Sequence, residues 1–345
     1  MSIPLYLAPM AEISHRAFRE LIEDFGGCDA YFSEMISASA FLANGPFEKW
    51  YIDNAPNPEK LVYQLVGSDP LVISKAAHFL DNTECAGIDI NMGCSAPLIR
   101  KAGAGAAWMS CIDRAGELIS HIRPQVKKRL SVKLRIGYKE DFEYLVRFCR
   151  RLEEEGIELI TLHPRTVMEK FKRLARWEYV GRLRSELKIP VCGNGDITNA
   201  EELNRRAAGP CDAVMSGRAA VRQPWIFAEA KNEEFLAEAQ RRKGRREEKK
   251  KEEENFKPSY SSANSASPRL REIFLEEIGL RFIELLAQHQ PPEFHISRAK
   301  RFFGFFCDNL KWGTYLKNKI NREQTLMGVE KVWQEYFIEN TDSGI

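Results

Sequence analysis

Four polar residues lie in or at the end of successive apolar runs: Gln64 in Leu-Val-Tyr-Gln-Leu-Val, Asn91 in Gly-Ile-Asp-Ile-Asn, Lys133 in Val-Lys-Leu-Arg-Ile and His163 in Ile-Thr-Leu-His. One such residue reads as a core group with its own hydrogen-bond partner. Four at equivalent depth point to a shared ligand. A lysine among them suits a group that gains negative charge. Two glycine clusters follow later runs, Gly193-Asn194-Gly195-Asp196 and Ser216-Gly217-Arg218. There backbone N–H groups can approach a phosphate, and Arg218 can add a charge-assisted contact. Beyond Asn91 comes Met92-Gly93-Cys94. A cysteine at a strand end, after a flexible glycine, is placed to do chemistry rather than fill a core.

Such residues need a scaffold that delivers strand ends to one place. Runs rich in β-branched or aromatic residues recur at Pro4–Met10, Ala30–Glu34, Leu61–Val66, Gly87–Asn91, Ser131–Ile136, Glu158–His163, Ile189–Gly193 and Asp212–Ser216. Several show little alternation, as expected of parallel strands buried on both faces. Helical patterning separates them, as in Asp141–Glu155, with Phe142, Leu145, Val146, Phe148, Cys149 and Leu152 apolar and Gly156 as the stop. The alternation predicts an α/β chain, a (β/α)8 TIM barrel with ligands at the strand ends. A doubly wound sheet fits less well, because no Gly-x-Gly-x-x-Gly follows the first strand. Residues 1–230 are read as the barrel domain. Residues 231–268 read as a charged, then serine-rich insert or linker whose low apolar content predicts mobility. Residues 269–340 read as a small all-helical domain, with helices expected over Leu270–Gln288, Arg298–Leu310, Thr314–Ile320 and Val329–Phe337.

Bulk properties limit the function. With 44% hydrophobic and 29% charged residues, the 345-residue chain is not disordered throughout. No basic segment followed by a long apolar run opens it, and no run of about 18 uncharged apolar residues occurs. A cytoplasmic protein without a membrane partner is expected. The eight cysteines include no Cys-x-x-Cys pair, so neither a metal site nor a redox couple is expected. A net charge of +2 does not announce nucleic acid, which leaves local clustering to do so. Between His295 and Arg322, the basic residues Arg298, Lys300, Arg301, Lys311, Lys317, Lys319 and Arg322 face one acid, Asp308. They are candidates for phosphate contact. Most of the interleaved Phe302, Phe303, Phe305, Phe306 and Trp312 have the spacing of a helical core.

Taken in order, several motifs resemble the tRNA-dihydrouridine synthases, flavin enzymes with a barrel followed by a helical tRNA-binding domain. They are Leu7-Ala8-Pro9-Met10, Gln64-Leu65-Val66-Gly67, Asp89-Ile90-Asn91-Met92-Gly93-Cys94, Val132-Lys133-Leu134-Arg135-Ile136-Gly137, His163-Pro164-Arg165-Thr166, Gly193-Asn194-Gly195-Asp196-Ile197 and Ser216-Gly217-Arg218. The resemblance covers nearly the whole chain apart from the insert. It implies that Ala8, Pro9 and Met10 pack against the ring of FMN and that Gln64 and Lys133 hydrogen-bond its pyrimidine edge. By it, His163 lies close to the cofactor, while Asn194, Gly195, Asp196, Gly217 and Arg218 hold ribityl and phosphate. Reduced flavin is an anion of the kind Lys133 suits.

The same resemblance makes Asn91 and Arg165 the residues that hold the target uridine, and the barrel is joined to a basic surface that includes Lys300 and Arg301. Cys94 is then the acid that protonates C5 while a hydride reaches C6. An unperturbed thiol, with pKa about 8.5, is mostly protonated at neutral pH and needs no activation for that task. NADPH (or NADH) would reduce the flavin, and a monomer is expected. The family usually has proline directly after the cysteine. This chain reads Cys94-Ser95-Ala96-Pro97, with Lys101, Gly103 and Gly105 still following, and its sixth-strand motif continues differently as Val167-Met168-Glu169-Lys170-Phe171-Lys172. Two other readings compete: a barrel flavoenzyme acting on a free pyrimidine, and a non-catalytic tRNA-binding module.

Overall fold

In a computed structural model, residues 3–169, 172–231 and 268–341 are described. The expected insert lies outside them except at its two ends, as do Lys170 and Phe171. All eight expected strands form: β1 (Leu5–Leu7), β2 (Ala30–Ser37), β3 (Leu61–Val66), β4 (Gly87–Met92), β5 (Arg129–Gly137), β6 (Leu159–Thr166), β7 (Val191–Asn194) and β8 (Ala213–Ser216). Each runs parallel to the next and β8 pairs with β1, closing the barrel. The expected (β/α)8 architecture is therefore present. β1 stops earlier than expected because the backbone turns after Ala8: the Met10 carbonyl accepts from the N–H groups of Ile13 and Ser14.

Helices lie between the strands where the polar caps direct. Asp141 accepts from Tyr144 N at 2.9 Å to begin Phe142–Glu154, and Gly156, at φ +94°, ends that turn. Asp69 caps Pro70–Asp81 in the same way. Side chains alternate along each strand, so the register decides what shares the interior. Tyr6, Ala30, Phe32, Val62, Leu159, Cys192, Ala213 and Met215 form its apolar core. Polar pairs also sit side by side across strands: Gln64 with Asp89, Asp89 with Ser131, Asn91 with Lys133 and Arg135 with His163.

The described residues divide into two compact units. One takes in the chain up to Ser14 and Asp29–Gly217; the other takes in His15–Cys28 and the chain from Arg218 onward. The second unit contains four longer helices, Pro268–His289, Pro292–Phe306, Gly313–Arg322 and Leu326–Thr341. It also contains the helix Arg16–Glu23, whose Phe18 meets Phe282 edge-on and lies 6.1 Å from Phe302. Phe282 stacks on Phe302 at 3.8 Å, and Phe302 in turn stacks on Phe306. The helix expected from Arg298 starts earlier, with Pro291 before it and Pro292 in its first turn, where a missing N–H costs nothing. No helix among the described residues is long and apolar enough to cross a membrane. Phe302→Ala should destabilise this unit by about 3–5 kcal/mol through the cavity it leaves, measured by urea denaturation; a loss under about 1 kcal/mol would contradict the packing described.

Candidate active site

Gln64, Asn91 and Cys94 are joined by one hydrogen-bond chain. Asn91 Oδ1 accepts from the backbone N–H of Gly93 at 3.1 Å and of Cys94 at 2.9 Å. Its Nδ2 donates to Gln64 Oε1 at 2.8 Å, and Gln64 Nε2 donates to Asp89 Oδ2 at 2.7 Å. Asp89 Oδ1 accepts from Ser131 Oγ at 2.6 Å. Gln64 and Asp89 are fully buried. Burial pushes the Asp89 carboxyl up to about 6, against the hydrogen bonds from Ser131 and Gln64 that favour its charged form.

The turn carrying Cys94 is held from other sides as well. Arg135 Nε donates to the Gly93 carbonyl at 3.0 Å, and its Nη1 donates to the Thr166 carbonyl. Burial, then the neighbouring Arg165, lowers Arg135 to about 10. Ala106 N donates to the Cys94 carbonyl at 3.0 Å. Gly105, at φ +58°, is required there, since a Cβ would lie 2.8 Å from the Cys94 carbonyl oxygen. Cys94 itself is half-buried and unbridged. With Ser95 rather than proline after the cysteine, these contacts fix its peptide.

Lys133, beside Asn91 in the register, is pushed down to about 8, first by burial and then by Arg135; Asp89 works in the opposite direction. Arg165 ties two loops together. Its Nη2 donates to both Asp196 oxygens at 2.6 and 2.7 Å, and its Nε donates to the Arg173 carbonyl. Its Nη1 lies 2.9 Å from His163 Nε2. A guanidinium only donates, so that nitrogen accepts and the neutral imidazole carries its proton on Nδ1.

Asp196, at φ +51°, is further held by Ala175 N, and Asn194 Nδ2 donates to the Met215 carbonyl at 2.7 Å. A Cβ on Gly217 would come within 3.4 Å of Met10 Sδ and 3.5 Å of the Ala8 Cβ, which places those three together. Pro9 lies between Ala8 and Met10 in the chain, and Arg218 opens the helix Arg218–Arg222 of the other unit.

Asp89, Ser131 and Arg135 were missing from the residues marked out by type alone. The available signal was spacing: each lies two positions from Asn91 or Lys133, and so on the same strand face. In the second unit, Arg301 is exposed and Lys300 half-buried. Arg298 does not belong with the phosphate-contact candidates: it is 1% exposed, donates to Gln290 and lies over the Phe294 ring at 4.5 Å. Lys317 pairs with Asp308. Phe302, Phe303 and Phe306 are core as expected, whereas Trp312 is exposed.

The family model for dihydrouridine synthase (Dus) matches residues 6–271. The chain belongs to the dihydrouridine synthase family. A probable tRNA-dihydrouridine synthase of Aquifex aeolicus (strain VF5) is 33% identical over 233 residues, 66% of this chain and 72% of that one. The tRNA-dihydrouridine synthase B of Proteus vulgaris is 32% identical over 231 residues, 66% and 71% of the two chains. A Homo sapiens protein named tRNA-dihydrouridine(47) synthase, NAD(P)(+)-like, is 31% identical over 232 residues, 66% of this chain but 35% of its own length. Family membership gives the polar barrel interior a reason to exist. Among the described residues no cluster of His, Cys, Asp or Glu could hold a metal ion.

In this dihydrouridine synthase the loop after β6 is stapled by Glu169, which accepts from Thr166 N at 2.8 Å and from both terminal nitrogens of Arg176. The Arg176 hydrogen bonds, chiefly, hold its carboxyl down at about 2. A depressed carboxyl contributes stability above its usual range, near 4.5, and loses it as pH falls toward 2. The Tm difference between the natural protein and Glu169→Gln should therefore be full at pH 7 and shrink from pH 4.5 to 3. An unchanged difference would refute the assignment.

Proposed function

We propose that this protein reduces the C5=C6 bond of a uridine in tRNA to dihydrouridine, using FMN and drawing electrons from a nicotinamide dinucleotide, NADPH or NADH. The observation that carries this reading is the fixed presentation of Cys94 at the end of β4, on a turn ordered by Asn91 and Arg135. FMN, when bound, supplies the hydride for C6.

The residues present fit that group. A Cβ at Gly217 would fill space in front of Ala8 and Met10, and a lysine with a lowered pKa suits an electron-rich pyrimidine edge. In this reading Ala8, Pro9 and Met10 pack on the ring, Gln64 and Lys133 address its pyrimidine edge, and His163 lies beside it. Asn194, Gly195, Asp196, Gly217 and Arg218 take the ribityl chain and phosphate. Asn91 and Arg165 frame the uridine while keeping their contacts to the protein. Cys94 gives its thiol proton to C5, and solvent returns a proton to the thiolate. A uridine must leave its stack to enter a barrel mouth, and Lys300 and Arg301 would hold phosphates of the surrounding RNA by charge.

Mass spectrometry of tRNA incubated with the protein, FMN and NADPH should map a gain of two hydrogens at defined uridines. Equal turnover on free uridine would overturn the tRNA assignment. Cys94→Ala should retain FMN and lower dihydrouridine formation by about 10²-fold or more; undiminished turnover removes Cys94 as the acid. Because Lys133 loses its charge as pH rises through about 8, FMN affinity of the oxidised protein should fall across that range, and Lys133→Met should abolish the dependence. Persistence of the same pH limb in the variant would exclude Lys133 as its source.

A further inference from the structure

We propose that Asp89 is a positioning residue: it terminates a hydrogen-bond chain whose single direction fixes the peptide of Cys94, an inference that rests on Cys94 as the acid. The direction follows from what each group can do. The backbone N–H groups of Gly93 and Cys94 only donate, so the oxygen of Asn91 must face them. Its nitrogen then points back and needs an acceptor, which is Gln64 Oε1. The Gln64 nitrogen is thereby turned toward Asp89, which must accept. The other Asp89 oxygen accepts from Ser131.

Gln64 and Asp89 are shut off from water and Asn91 is 6% exposed, so a reversed link has no solvent to turn to. The chain therefore tolerates one carboxylate, at any of its three positions, and not two. Lys133 and Arg129 on β5 are the charged groups that bear on Asp89, and both favour its anion.

Gln64→Glu and Asn91→Asp each place a second carboxylate in the chain, leaving two acceptors facing each other. Asp89→Asn removes the first. In Asp89→Asn alone the chain survives, because Oδ1 can accept from Gln64 and Nδ2 can donate to the Ser131 oxygen. In Asp89→Asn with Gln64→Glu, or with Asn91→Asp, every donor again meets an acceptor, with the charge moved along the chain.

The test is amide hydrogen exchange of the 92–96 segment in the full-length protein, each variant compared with the natural protein at the same pH from 6 to 9. The two single variants that carry two carboxylates should exchange at least tenfold faster by pH 9, with the gap growing as a shared proton is lost. Asp89→Asn and both double variants should stay within about threefold of the natural protein at every pH. Double variants as perturbed as the singles, or singles that match the natural protein at pH 9, would overturn the proposal. Should Gln64→Glu fail to fold, the Asn91→Asp pair gives the same decision. Dihydrouridine formation by Cys94→Ala judges the acid separately: full turnover there would sink the catalytic reading and leave the exchange result to judge the chain alone.

Discussion

A polar atom inside a closed barrel is shut off from water and depends on partners within the protein. Eight parallel strands joined edge to edge leave no free sheet edge, and alternation drives half of every strand's side chains into one interior. The lower part of that interior is apolar around Tyr6, Phe32 and Met215. Nearer the strand ends it holds Gln64, Asp89, Asn91, Lys133 and His163, of which Gln64, Asp89 and Asn91 satisfy one another and His163 meets Arg165. An unpaired buried donor or acceptor costs about 1–3 kcal/mol, so a few uncoordinated polar groups would consume much of a domain's net stability. Pairing therefore governs the shape of the site before any ligand does. Lys133 and Asp89 illustrate the balance: each is shifted by burial toward its neutral form, and each favours the charged form of the other.

The loops obey the same rule at the barrel's rim. Arg135 spans Gly93 and Thr166, Arg165 spans His163, Arg173 and Asp196, and Arg176 meets Glu169. Three arginines thus link described residues of the loops after β4, β6 and β7. Guanidinium suits the task because its planar fork donates in several directions without becoming neutral.

Much of this was legible in the chain itself. All eight strands were visible as apolar runs, and Gln64, Asn91, Lys133 and His163 stood out because polar residues are rare in such runs. Direction was not visible: the Gly93 and Cys94 amides set the oxygen of Asn91 toward them, and which groups then receive its nitrogen and that of Gln64 is a matter of register. Asp89 and Arg135 went unmarked because residue type alone does not say whether a charge on a strand faces the interior or a helix; their two-residue spacing from Asn91 and Lys133 does. Arg298 shows the reverse error. Its place in a basic cluster suggested RNA, whereas the helix phase turns it inward against Phe294 and Gln290. Nor did periodicity reveal that the helix Arg16–Glu23 would find its partners in Phe282 and Phe302.

That helix has a consequence for how the chain is made. It is synthesised directly after β1, yet the helices it packs against begin at Pro268, more than two hundred residues later. On a growing chain its apolar face, with Ala17, Phe18, Leu21 and Ile22, must wait unpaired while all the remaining barrel strands emerge. A cut after Lys231 would leave that face without its partners for good. The fragment would contain every strand of the barrel and still be an unfinished protein, inclined to associate through a surface the intact molecule never shows.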